Sequence, residues 1–223
     1  HPDSCLAPET PLPPIAMGAL IPNTSSGGQT MTALRAVGTR PDARPFFQEA
    51  LANMSRRTQQ GERCVVVFDI DNTVVDTRYR TLRAAQLYGR EHGVSKLAQL
   101  TEGDLSRIGL TGRATMLNLG FGEGPLTAAF EAFWQSYFWN SDNFSDDRPI
   151  APTLELIAQA QQAGAEVVFL TGRIASLYNA TLRQLQSVGV KGLGGDESRP
   201  PENQRLLCKP SLETRTAPYK AEA

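Results

Sequence analysis

Asp69 and Asp71 sit in the run 64-CVVVFDIDNTVVDT-77, two residues apart and directly behind apolar, mostly β-branched positions. In extended chain, residues two apart project to the same side. The end of what should be a buried strand therefore carries two neighbouring carboxylates. Keeping both ionised is costly, because like charges repel and a core strips away hydration. A divalent cation can neutralise the pair, or one carboxyl can keep its proton and serve as an acid. A phosphoryl-transfer enzyme can use both remedies together.

A second polar cluster ends another apolar run, 169-FLTGR-173. In parallel α/β sheets ligands bind beyond the carboxyl ends of the strands. Two such strands ending in reactive groups therefore point to one site. Other chemistries fall away. His1 and His92 are the two histidines of the chain, which argues against an imidazole zinc centre or a histidine triad. The cysteines, Cys5, Cys64 and Cys208, are odd in number. Cys64 and Cys208 lie in or beside apolar runs and read as small buried thiols. A calcium loop from Asp69 fails, since Val74 and Arg80 stand where glycine and glutamate belong. No G-x-x-x-x-G-K phosphate loop occurs. A second TGR, Thr111 to Arg113, follows SRIGL rather than a continuous apolar strand and reads as a loop.

The elements that position these groups follow from periodicity. The 223 residues carry a formal charge of −1 and 40% hydrophobic content, enough for one globular body with an insertion. There is no basic run to track nucleic acid and no apolar stretch long enough to cross a bilayer. Residues 1–45, rich in Pro, Gly, Ser and Thr, read as an extended arm. A helix from Pro45 carries Phe46, Phe47, Ala50, Leu51 and Met54 and ends at Gly61, ahead of VVVFD. Residues 77–149 read as a helical cap in which Phe130, Phe133, Trp134, Tyr137 and Phe138 share a packing face, with 118-NLGFGEGP-125 as a lid turn. Asp142, Asp146 and Asp147 close it, with turn and capping roles favoured over cation binding. The core, 46–76 and 150–223, then alternates helices with the strands 166-EVVFLTGR-173 and 205-RLLCK-209. That alternation is the pattern of an α/β doubly wound parallel sheet, Rossmann-like.

VFDIDNTVVDT resembles the DxDxT signature of the haloacid dehalogenase superfamily of phosphohydrolases, and FLTGR resembles its second motif. LLCKP followed by TAPYKAEA is similar to the acid-phosphatase-like branches, where a strand and a loop precede a Tyr-Lys at a helix start. The likeness spans about 46–223. It implies a Mg²⁺-dependent phosphatase acting on a small-molecule phosphomonoester through an aspartyl-phosphate. Asp69 would be the nucleophile and Asp71 the acid and base. Thr73 would support the turn, Thr171 would hydrogen-bond the phosphoryl oxygens, and Thr73, Gly172, Arg173 and Lys209 would line the phosphate site. Mg²⁺ would be held by the Asp69 carboxylate and the Asp71 carbonyl. For the third-motif lysine the resemblance offers Lys209 or Lys220, with Lys220 preferred on loop length and the other left as a surface residue.

One departure bears on the metal. The superfamily's fourth, acidic motif should follow that lysine, whereas Asp196 and Glu197 precede both candidates and read as loop residues. The expectation is that this sequence is cut short or that metal binding is weakened. A phosphotransferase or mutase of the same fold, and a binding or scaffold protein that has lost catalysis, stay open as alternatives. The oligomeric state and compartment are left open, although a proline-rich leader suits export.

Overall fold

In the computed structural model, residues 43–193 and 205–223 are described. The expected N-terminal arm lies outside them apart from its last residues, as do Asp196 and Glu197.

The fold is mixed α/β. Helix α1, Ala43–Gln59, buries Ala50 and Met54 against Cys64 and Ala165, and Gly61 at φ 79° turns the chain into β1, Val65–Phe68. β1 pairs in parallel with β4, Glu166–Ile174, and β4 in parallel with β5, Leu206–Lys209, giving the order β1-β4-β5. Helices α6, Ala151–Gln162, and α7, Tyr178–Ser187, cross between these strands. Burial alternates strictly along β4, with Val167, Phe169, Thr171 and Arg173 inside. The core joins Phe68, Ile70, Val167, Phe169 and Leu206 to Ile157 of α6 and Leu185 of α7.

Two very short strands bracket the segment between β1 and α6. β2, Val75–Asp76, pairs antiparallel with β3, Arg148–Pro149. Between them run α2 (Arg78–Glu91), α3 (Ser95–Ala98), α4 (Gly112–Asn118) and α5 (Pro125–Phe138), with 3-10 turns at Glu102–Arg107 and Ser141–Asp146. These helices bury a cluster of their own, including Leu82, Tyr88, Leu97, Met116, Phe130 and Trp134. Phe130, Trp134 and Phe138 are buried while Phe133 and Tyr137 are partly so, as a packing face requires.

Two sequence expectations change here. Thr111 caps α4, accepting a hydrogen bond from the Ala114 amide, and Arg113 pairs with Glu123 at the surface. Asp147 is no surface cap: its side chain is 1% exposed and accepts both arms of Arg80, at 3.0 and 2.7 Å.

Candidate active site

Phe68 and Phe169 are register partners, so Asp69 and Thr171 stand one and two residues past the same rung of the sheet. Both expected reactive ends thus meet at the carboxyl edge of parallel strands. The chain reverses sharply after Asp71. Asn72 takes φ 59°, a left-handed conformation that asparagine tolerates better than most residues. Its side-chain oxygen accepts from the Thr77 amide and hydroxyl at 3.1 and 2.9 Å. The amides of Thr73, Val74 and Val75 all reach the Ile70 carbonyl, closing the turn. Thr73 supports this turn through its backbone. Its buried hydroxyl is without a hydrogen-bond partner.

The Asp69 carboxylate is about a third exposed (31%), accepts from the Ile70 amide at 2.8 Å, and pairs with Lys220 Nζ at 2.7 Å, both through Oδ1. Lys220 lies in α8, Thr216–Glu222, in its second turn rather than at the helix start. Two contacts hold that helix down. Tyr219 Oη donates to the Cys208 carbonyl at 2.8 Å, and Gly172 lies under Thr216. A Cβ on Gly172 would come within 2.9 Å of Thr216 Cγ2, so glycine permits the close approach of α8 to β4. Gly172, expected beside phosphate, has a packing role here.

Lys209, left by the sequence as a surface residue if not catalytic, is instead buried. It donates to the Thr214 carbonyl at 3.1 Å and so braces the turn leading into α8. Thr171 has no exposed surface, and its hydroxyl oxygen accepts from the Arg173 amide at 3.2 Å.

Arg173 departs most from expectation. Expected to bind phosphate, it is fully buried on the same side of β4 as Phe169 and Thr171. Its guanidinium clasps Asp71, with Nη2 at 2.6 Å from Oδ1 and Nε at 3.2 Å from both oxygens. Arg80 Nη2 lies 3.5 Å from the same Oδ1. Burial alone would raise the Asp71 carboxyl, but the charge and hydrogen bonds of Arg173, then Arg80, outweigh it and hold Asp71 below the ordinary carboxylate range. Asp71 therefore rests as a carboxylate. Burial also pushes the nearby Cys208 thiol up to about 11, leaving it neutral and unsuited to act as a nucleophile.

Sequence reasoning missed Asn72, Arg80, Asp147 and Gln184. For Asn72 the signal was available, since asparagine directly after the second aspartate suits a left-handed turn. The other three are brought together only by tertiary structure.

Residues 117–222 match the family described as HAD superfamily, subfamily IIIB (acid phosphatase). Through this stretch the chain is similar to that family. The matched stretch contains Thr171, Arg173, Lys209 and Lys220, while Asp69 and Asp71 precede it. Comparison with curated proteins gives no match. A solved structure of a hydrolase from Pseudomonas syringae is similar at 13% identity, over 64% of this chain and 58% of that one, with a TM-score of 0.34. This chain thus spans 58% of the length of that structure, and the score is too low to carry an argument.

Among the described residues no group of three or more His, Cys, Asp or Glu is gathered to hold a metal ion. The donors that would serve, the Asp69 carboxylate and the Asp71 carbonyl, are oxygens of the kind Mg²⁺ takes. That ion is commonly held by one or two carboxylates, with water and substrate phosphate completing its shell. The Asp71 carboxylate, taken by two arginines, is not a candidate ligand. Among the described residues no helix is long and apolar enough to cross a membrane.

Proposed function

We propose that this protein is a phosphatase that hydrolyses small-molecule phosphomonoesters through an aspartyl-phosphate on Asp69. The observation that carries this reading is the Lys220–Asp69 pair at 2.7 Å, on a carboxylate still open to solvent at the edge of the parallel sheet. An ammonium there offsets the charge of the nucleophile and of an incoming phosphate, which would otherwise repel each other.

In the first step the Asp69 carboxylate attacks phosphorus. The bond from phosphorus to the ester oxygen breaks, and that oxygen takes a proton from Asp71. Since Asp71 rests ionised, it first draws that proton from an acidic medium or from the phosphate monoanion. In the second step Asp71, again a carboxylate, takes a proton from water as the water oxygen attacks phosphorus and frees Asp69. Thr171 accepts from the Arg173 amide, which leaves its hydroxyl hydrogen to donate to a phosphoryl oxygen once substrate displaces what covers it. Mg²⁺ bound at Asp69 and the Asp71 carbonyl would shield the phosphoryl oxygens. The helices between β2 and β3 would act as a cap that selects the substrate.

Phosphate release from p-nitrophenyl phosphate with Mg²⁺ tests the reading. The wild type should turn over, a chelator should abolish turnover, and Asp69→Asn should be inactive. Equal release by wild type and Asp69→Asn would refute it.

A further inference from the structure

Three buried polar side chains outside the motifs, Arg80, Asp147 and Gln184, form with Arg173 a continuous chain between the helices and the sheet. Arg80, from α2, donates to Asp147 through Nε and Nη2 and to the Phe138 carbonyl through Nη1 at 2.6 Å. Gln184, from α7, donates from Nε2 to Asp147 Oδ2 at 2.8 Å and to the Phe144 carbonyl at 2.6 Å. Its Oε1 accepts from Arg173 Nη1 at 2.7 Å, while Thr181 accepts from the same nitrogen at 3.3 Å. Arg173 then holds Asp71. Both guanidinium groups lie over the Phe144 ring, that of Arg80 4.6 Å and that of Arg173 4.3 Å from its centroid.

The charges balance. Arg80 and Arg173 face Asp147 and Asp71, and Arg173 Nη2 also lies 3.8 Å from Asp147. An arginine pinned at Nη1 by Gln184 has one orientation left for its other edge, and Asp71 is bound by that edge. Asp147 and Arg80 come from the two ends of the segment between β2 and β3, so its base and the Asp71 side chain are fixed by one set of bonds.

We propose that Arg80, Asp147 and Gln184 are positioning residues that act through Arg173 to aim the Asp71 carboxyl at the leaving-group oxygen. This rests on the phosphatase reading, and it adds three residues outside the family motifs.

The test exploits leaving groups. Nitrophenolate departs without a proton, whereas an alkoxide needs one, so an alkyl ester depends on Asp71 and p-nitrophenyl phosphate far less. Asp147→Asn and Gln184→Met should each lower kcat/KM for ethyl phosphate by about tenfold or more, and for p-nitrophenyl phosphate by less than about threefold, within the range expected for impaired acid catalysis. In an Asp71→Asn background neither should cost more, because the route runs through Asp71. Gln184→Met, a neutral exchange of similar size, serves if Asp147→Asn does not fold. Equal losses on both esters in a protein that still melts cooperatively, or additive losses with Asp71→Asn, would overturn the proposal.

A second readout needs no turnover. The Arg173 Nε–H signal should exchange slowly in wild type and rapidly in Gln184→Met, and retained protection would overturn the proposal. Wild type inert on both esters, but with that protection lost in the variant, would remove the phosphatase reading and leave the network standing.

Discussion

Lys220 Nζ lies 2.7 Å from Asp69 Oδ1, joining α8 to the residue that follows β1. Both side chains keep more than a quarter of their surface exposed, and ion pairs this open contribute no more than about 1 kcal/mol to stability. Lys220→Met should therefore change the urea midpoint little while lowering kcat by about a hundredfold, the scale set by loss of a positioned charge. A Lys220→Met protein that keeps its kcat would show the pair to be incidental.

Gly172 lets α8 lie close to β4, so a methyl group there should be felt at Lys220. Gly172→Ala is expected to lower activity at least tenfold on p-nitrophenyl phosphate, through displacement of α8 and loss of the Lys220–Asp69 pair. Its melting temperature should fall by only a few degrees, because α8 is short and none of its residues is buried. Unchanged kinetics would mean that Thr216 gives way without moving the helix.

Asp71 makes stability pH-dependent with a definite sign. Its carboxyl is held below the ordinary value, which is about 4, because Arg173 and Arg80 outweigh burial. The stabilisation is complete above that ordinary value and is lost as pH falls through the lower folded-state value. Urea midpoints taken with a chelator on wild type and Asp71→Asn should therefore diverge above that window and converge at the acid end. Parallel curves would contradict the depressed value.

The buried Arg80–Asp147 pair should behave as a coupled unit. Arg80→Met strands a buried carboxylate and should cost about 3–5 kcal/mol, much of it regained when Asp147→Leu is added. Thermal or urea unfolding of the two single variants and the double variant measures this coupling. Additive losses would show that the two charges do not depend on each other.

What was legible in the sequence was what local pattern dictates. The apolar run ahead of Asp69 and the run 166–170 ahead of Thr171 fixed two parallel strands and their shared carboxyl edge. The turn after Asp71 was readable in kind. The direction of Arg173 was also readable, since even spacing from Phe169 sends it inward with Thr171. The resemblance to phosphate-binding motifs outweighed that parity. Other features had no local signature. Arg80 and Asp147 meet across a separation of 67 residues, and the strands β2 and β3 are two residues each, too short to show a period. The role of Gly172 depends on where α8 docks, and the burial of Lys209 on a turn that folds back over it.

Rapid quenching of the enzyme on a phosphomonoester, followed by mass spectrometry of the peptide carrying residues 64–77, tests the covalent step most directly. That peptide should gain one phosphoryl group, located on Asp69, within the first turnover. Turnover with the phosphoryl group on a different residue, or undiminished turnover by Asp69→Asn, would contradict it.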